Sequence, residues 1–386
     1  MDKAGIYFDN AATSWPKPEK VYQAAEEYLR SGGANPGRSG HTRSLQADRL
    51  VYDTREKAAS FLGASAPEEI IFTLNATDSL NMAIKGLLEP GDHVVFTPFE
   101  HNSVLRPLGS LRRNGCITTT MAGREGSAEI TVDDIASAVK PETRLIVCNH
   151  ASNVTGQILP VEQIGELARE KGIFFLLDAA QTAGVMPLDL KQVKPHLAAF
   201  AGHKGFMGPP GVGLLYLEQG VKIKPWREGG TGSRSEEDRH PEMMPDYLEA
   251  GTLNSPGLAG LFQGIRFLEE EGLEKVREHE VRLAGMLRLG LQEIPGVTVF
   301  GPEDARKAVA VVSFVLEGID SGEMGFVLEQ AYGILSRTGL HCAPHAHKAI
   351  GTFPQGTVRF SLGYFNTEKE VKTALDAVSE VAGRLV

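Results

Sequence analysis

Two apolar runs of this chain stop abruptly at groups that can do chemistry. Residues 173–177 end in Asp178, with Gln181 three residues on, and residues 197–201 end in Gly202-His203-Lys204. As buried strands of one sheet, the two runs put an acid, an amide, an imidazole and an amine around one crevice. An acid to hold a pyridine nitrogen protonated and a lysine to form a Schiff base are what an aldehyde-bearing pyridine ring needs. Each residue also has an ordinary reading. A strand-end aspartate commonly ties the next turn, and a lone loop lysine is commonly solvated. Lys204, however, runs into Phe206-Met207-Gly208-Pro209-Pro210-Gly211. These turn formers and apolar side chains would pack closely under a ligand. Burial there lowers the amine's pKa, which suits Schiff-base formation. Gln181 stands within reach of the ring's phenolic oxygen.

Other chemistry-bearing residues fall at similar places. Asn75-Ala76-Thr77 joins an apolar run to a helix start, where first-turn N–H groups and the Thr77 hydroxyl make an anion site. Asn75 or Thr77 can also simply cap that helix. His203 would add a donor to the same phosphate. His101, past Pro98-Phe99-Glu100, offers a flat imidazole to stack on a ring, and Asn153 follows another strand end. Arg359 interrupts residues 357–362, so it points away from its apolar neighbours. It is either part of a solvated face or a fork for a substrate carboxylate. Cys342 lies in Ser336-Arg337-Thr338-Gly339-Leu340-His341-Cys342-Ala343-Pro344-His345-Ala346-His347. Glycine, proline and three histidines predict a loop there, with an exposed cysteine and imidazoles that support its thiolate. One cysteine with three histidines fits no standard zinc spacing and lacks a second cysteine pair, so no metal site is read. Cys148 reads as core, and Cys116 carries no signal.

The elements that must position these groups alternate. The patterns predict helices over about 43–62 (capped by Thr42), 78–88, 104–113, 132–139 and 161–171. Strands are expected at 69–73, 93–97, 117–120, 145–148 and 173–177. This alternation predicts an α/β fold, a mostly parallel sheet covered on both faces. Ligands of such sheets sit beyond the carboxyl ends of the strands. Residues 229–245 read as an exposed loop. After Pro256 the rhythm changes, with helices at 258–271 and 274–293, strands at 309–316 and 358–362, and a last helix at 367–385. Thr367 and Glu370 fit a capping box. A second, α+β domain is expected.

Bulk properties narrow the function classes. The chain has 386 residues, 42% of them hydrophobic, enough for one large domain or two. A net charge of -10 without a basic block argues against nucleic acid and an anionic membrane surface. No apolar run is long enough to span a bilayer, and Met1-Asp2-Lys3-Ala4-Gly5 lacks a signal-peptide core. Three cysteines make no disulfide framework, so a reducing cytoplasm is the expected compartment.

Together these residues resemble the class V aminotransferase superfamily of pyridoxal-phosphate enzymes, fold type I, and within it the SufS-like cysteine desulfurases. The resemblance runs from Tyr7-Phe8-Asp9-Asn10-Ala11-Ala12-Thr13 to Arg359-Phe360-Ser361-Leu362-Gly363-Tyr364-Phe365-Asn366-Thr367. Its most specific segment is Arg337-Thr338-Gly339-Leu340-His341-Cys342-Ala343, which looks like the group's persulfide-forming loop. The resemblance implies a large domain, 15–257, with a mostly parallel seven-stranded sheet. A smaller α+β domain, 258–386 together with 1–14, would carry the cysteine loop. It implies pyridoxal 5'-phosphate held by Lys204, Asp178, Gln181 and His101, with Ala76, Thr77 and His203 at the phosphate. Thr252 would reach the phosphate of a partner subunit, which implies a homodimer. Asn153 and Arg359 would hold the carboxylate of L-cysteine, and Cys342 would take its sulfur and pass it to a sulfur-acceptor protein. Three departures stand out, one being the loop after Cys342, Pro344-His345-Ala346-His347, where a more apolar stretch is expected. Ala201 replaces the serine usual in Ser-Gly-His-Lys, so one phosphate hydroxyl is missing, and Asp-Gly-Ala-Gln is Asp178-Ala179-Ala180-Gln181 here. The competing readings are a selenocysteine lyase or another C–S lyase on the same cofactor, and a non-catalytic sulfur-carrier subunit.

Overall fold

The computed structural model describes residues 5–37, 40–123, 127, 129–234 and 236–385. Met1 to Ala4, Ser235 and Val386, which the sequence reading includes, lie outside the described residues. Among the described residues there are thirteen strands. They are β1 (Ile6–Tyr7), β2 (Ile70–Thr73), β3 (His93–Phe96), β4 (Thr118–Met121), β5 (Thr143–Asn149), β6 (Phe174–Asp178) and β7 (Leu197–Ala201). The rest are β8 (Gly213–Leu217), β9 (Val297–Phe300), β10 (Val311–Leu316), β11 (Ile334–Leu335), β12 (Arg337–Gly339) and β13 (Thr357–Ser361).

The main sheet has seven strands in the order β2-β8-β7-β6-β5-β3-β4. Only β8 runs against its neighbours, so the sheet is mostly parallel, as expected. Its strands read as unbroken apolar runs because both faces are dry. Ile146, Cys148, Phe175, Leu177, Ala198 and Phe200 enter one core. Their alternates Leu145, Val147, Leu176, Leu197 and Ala199 enter another, under the helices Ala76–Leu87 and Asn102–Arg113. The carboxyl ends of β2, β3, β5, β6 and β7 therefore share one edge, and each leads into a segment carrying a candidate residue.

The second layer is an antiparallel four-stranded sheet, β12-β13-β10-β9, with its own core. The N-terminal segment joins it: β1 pairs with β11, and Phe8 is fully buried there. Helix Ser255–Glu271 instead puts Leu258, Leu261, Ile265 and Leu268 into the core of the main sheet. No helix among the described residues is long and apolar enough to cross a membrane. The Thr367–Glu370 capping box is present, with Thr367 N donating to Glu370 Oε2 at 2.7 Å and Glu370 N to Thr367 Oγ1 at 3.3 Å. Four helix starts differ by two residues or more or in their cap, one of them Ser255–Glu271, which begins three residues before position 258 because Asn254 caps it by accepting the Gly257 N–H. His41, not Thr42, caps Thr42–Leu62, because its Nδ1 accepts the Ser44 N–H. The other two begin two residues early, at Ala76 and Asn102, because Asn75 and His101 are side-chain caps.

One buried ion pair holds the segment that carries Thr252. Arg55 donates to both carboxylate oxygens of Glu249, at 2.6 and 2.8 Å, and Phe72 N donates to Glu249 Oε1 at 2.6 Å. Both side chains are almost wholly buried. Removing one partner of such a pair leaves a bare charge in the interior. Glu249→Ala should cost about 3–5 kcal/mol in urea unfolding, and a loss below about 1 kcal/mol would mean that water reaches Arg55.

Candidate active site

The edge shared by the strand ends opens into a cavity of about 270 Å³. Ala76, Thr77, His101, Asn153, Asp178, Gln181, His203, Lys204 and Arg359 line it, so nine residues singled out in the sequence converge. Arg337, Ser103 and Asn149 line it as well. Thr252 does not: it is exposed in a second cavity, of about 790 Å³, bordered by Arg55 and Glu249. Cys342 stands beside the first cavity, next to Arg337 and His341 of its wall.

Asp178 ends β6 in register with Asn149 of β5. Burial raises its pKa, opposed by the Ala180 N–H that it accepts at 3.0 Å and by the Lys204 charge. Burial pushes the Lys204 amine down to about 8, although Asp178 pulls the other way. Desolvation thus outweighs the mutual attraction for both groups. Ser14 Oγ fixes the Lys204 turn by donating to the Lys204 carbonyl at 2.8 Å. Lys17 Nζ reaches the His203 carbonyl at 2.7 Å.

The helix start at Ala76 is pressed against β8. A Cβ on Gly213 would lie 2.5 Å from the Asn75 backbone, so glycine there is what lets the helix end reach the cavity. Asn75 Oδ1 caps Asp78 N at 3.0 Å, and its carbonyl takes Ser79 N at 3.1 Å. No partner for the Ala76 or Thr77 N–H is found among the described residues, as befits the first turn of a helix, which leaves two main-chain donors for an anion.

His101 caps its own helix. Its Nδ1 accepts Ser103 N at 3.0 Å and lies 2.8 Å from Ser103 Oγ. Burial, followed by the charges of Lys204 and Arg337, pushes its pKa down to about 4. The ring is therefore neutral at pH 7 with its proton on Nε2. Gln181 donates to the Ala11 carbonyl at 3.1 Å. Arg359 is 1% exposed and donates to Asp9 Oδ1 at 2.6 Å and to the Asn153 carbonyl at 3.1 Å. Its Nε and Asn153 Oδ1 are buried without partners.

The cysteine segment differs from the expected plain loop. β12 enters it, and a helix, Pro344–Ala349, leaves it. Between them His341 and Cys342 have φ of 46° and 58°, two successive non-glycine residues in the left-handed region. Both carbonyls are braced: Asn153 Nδ2 donates to His341 O at 2.7 Å, and Asn102 N to Cys342 O at 2.7 Å. The cysteine is half-buried, not exposed. Its cationic neighbour is not an imidazole. Burial holds His341 far below the usual histidine range and His347 at about 4, so both are neutral. The charge is Arg337, whose Nη2 lies 3.9 Å from Cys342 Sγ. Alternation along β12 and its pairing with Arg359 across β13 aim Arg337 at the cavity. Its place five residues before the cysteine was the only available signal.

This donor set suits a flat ring with a basic nitrogen at Asp178, a carbonyl at Lys204 and an anion at the Ala76–Thr77 helix end. A lysine with a native pKa of about 8, against 10.5 in the unfolded chain, costs stability below about pH 8. That cost fades as pH rises toward 10.5. Lys204→Met should thus stabilise the ligand-free protein at pH 7 by on the order of 2 kcal/mol. In denaturant unfolding the gain should shrink between pH 8 and 10.5, and a pH-independent gain would contradict burial of the charge.

Residues 6–374 match the family described as Aminotransferase class-V. A probable cysteine desulfurase of Methanothermobacter thermautotrophicus is 34% identical, over 98% of this chain and 95% of its own. A probable cysteine desulfurase of Pyrococcus abyssi is 35% identical, with the same coverage. The apo structure of the cysteine desulfurase from Thermococcus onnurineus superposes with a TM-score of 0.92 at 34% identity, covering 98% of this chain and 95% of that one. With its parallel sheet, its lysine–aspartate cleft and a match along nearly its whole length, this chain belongs to the class-V aminotransferase family.

Proposed function

We propose that the protein is a cysteine desulfurase that uses pyridoxal 5'-phosphate, converts L-cysteine to L-alanine and takes the sulfur on Cys342 as a persulfide. The observation that carries this reading is a thiol beside a guanidinium, Cys342 at 3.9 Å from Arg337, next to a cleft that buries Asp178 and half-buries Lys204. Transamination needs no such thiol.

The residues present fit the cofactor. Asp178 has a carboxylate for the ring nitrogen, and the unused Ala76 and Thr77 N–H groups await an anion. Gly213 keeps that helix end within reach. Lys204 would attach the cofactor, with His101 over the ring, Gln181 at the phenolic oxygen, and Thr77 and His203 at the phosphate. When bound, pyridoxal 5'-phosphate supplies an electron sink that stabilises negative charge on the substrate Cα. Asp178 would keep the ring nitrogen charged. Lys204, with its pKa of about 8, has a proton affinity suited to taking the substrate α-proton and returning it. Asn153 and Arg359 would hold the substrate carboxylate, a task that Arg359 Nε, unpartnered among the described residues, can serve. Arg337 would steady the Cys342 sulfur, which attacks as a thiolate. That thiolate would attack the substrate sulfur as the C–S bond breaks; the carbon keeps the pair and is protonated to alanine. The sum is balanced: L-cysteine and one thiol give L-alanine and one persulfide.

Thr252, away from Lys204 of its own chain, would serve the phosphate of a partner, so a homodimer belongs to this reading. So do a sulfur-acceptor protein and a reducing cytoplasm for the three free cysteines. The two-domain division, 15–257 and 258–386 with 1–14, also belongs to it.

The test is a single turnover of cofactor-loaded protein with L-cysteine and no reductant. Stoichiometric alanine and one added sulfur on Cys342 by mass spectrometry are expected. Arg337→Met should slow persulfide formation by about 10-fold or more, the scale of one charge-assisted contact. Pyruvate, or alanine with Cys342 unmodified, would favour a lyase.

A further inference from the structure

The anion end of the cleft carries a hydroxyl that nothing above uses. Ser103 is buried, lines the cavity, and sits 2.7 Å from Thr77 Oγ1 and 2.8 Å from His101 Nδ1. Ala201, on the same cavity wall as His203, has no polar side chain. His203 is neutral, since burial pushes its pKa down to about 4. From its own chain a phosphate dianion there would meet two main-chain N–H groups, the Thr77–Ser103 hydroxyl pair through one hydrogen, and an uncharged imidazole, with a Thr252 hydroxyl arriving only from a partner. That is a thin set of donors for such a charge.

The proton inventory shows where the Ser103 hydrogen can go. His101 Nδ1 has one lone pair, and the Ser103 main-chain N–H already occupies it at 3.0 Å. The hydroxyl hydrogen of Ser103 is redundant at Nδ1. It can turn away without leaving the ring unsatisfied, while its oxygen still accepts from Thr77. We propose that Ser103 is a phosphate ligand of the cofactor, supplying the hydroxyl donor that Ala201 cannot. The inference rests on the pyridoxal 5'-phosphate reading and names a residue which that reading leaves out. It also links the two ends of the cofactor. With the phosphate in place the Ser103 hydroxyl points to it while its oxygen accepts from Thr77 Oγ1, and His101 keeps only the main-chain donor. The ordinary alternative is that Ser103 trims the start of helix Asn102–Arg113 by contact with its cap.

The experiment titrates cofactor-free protein with pyridoxal 5'-phosphate and, separately, with pyridoxal, which lacks the phosphate. Visible absorbance gives the dissociation constants, and circular dichroism checks the fold. Ser103→Ala should weaken pyridoxal 5'-phosphate binding about 10-fold, the scale of one hydrogen bond to a charged group. Pyridoxal binding should not change. Adding Ala201→Ser to that variant should recover most of the loss. Unchanged pyridoxal 5'-phosphate affinity, equal losses for both ligands, or no recovery with serine at 201 would each overturn the proposal. A wild-type protein that binds neither ligand would sink the cofactor reading itself.

Discussion

Everything at this site depends on keeping two opposite charges dry at the edge of a sheet. Asp178 ends β6, and Lys204 lies three residues past the end of the neighbouring β7, in a sheet whose residues are closed off on both faces. Neither charge is comfortable: burial acts on each more strongly than the other's attraction does. The sheet overrides that discomfort because its strands cannot shift without exposing their apolar alternates. The result is an amine that gives up its proton near pH 8, well below an ordinary lysine, and an acid that lines the cavity. Stability is given up at this edge, and reactivity is what the edge acquires in exchange.

The parts of the site legible in the sequence are those where a local rule breaks. Asp178 and Lys204 stand out because each follows an uninterrupted apolar run. Arg359 stands out because it lies inside one. Thr77 and His101 could be placed because helix starts have preferred residues, although both helices begin two residues earlier than the apolar periodicity suggests. Asn75 and His101 take up the cap, and periodicity carries no record of a cap. Ser103 was invisible, and Arg337 was legible only as the first residue of the cysteine segment, because their roles depend on what lies across from them. Ser103 matters through Thr77, 26 residues away, and Arg337 through its antiparallel pairing with Arg359. No short-range pattern encodes such pairs. The helix Pro344–Ala349 was missed because glycine, proline and histidine usually argue for a loop, whereas Pro344 sits at the first helical position, where proline is welcome.

The chemistry around Cys342 turns on which basic groups are charged. Three histidines within five residues of the cysteine or beside it in sequence look like a source of positive charge. Packing removes it from two of them. His341 is tied to Thr357 and His347 to Thr352, with the far nitrogen of each left unpartnered. A buried imidazole in that state stays neutral. Only a guanidinium, which keeps its proton under almost any burial, can stand beside the thiol as a lasting cation. Histidines here shape the turn, and arginine sets the field.

The hydrogen bond from Asn102 N to the Cys342 carbonyl has a dynamic side. That N–H is the first of the helix that His101 caps, and the cysteine's own main chain is what satisfies it. Loop and helix start therefore form one cooperative unit. The cysteine cannot swing outward without uncapping the helix, and the helix cannot fray without loosening the cysteine. A turn of two left-handed residues would by itself be among the first places in the molecule to melt. Borrowing the end of a twelve-residue helix, it opens only as often as that helix end does, so sulfur would leave the cleft at a rate written into the far side of the sheet.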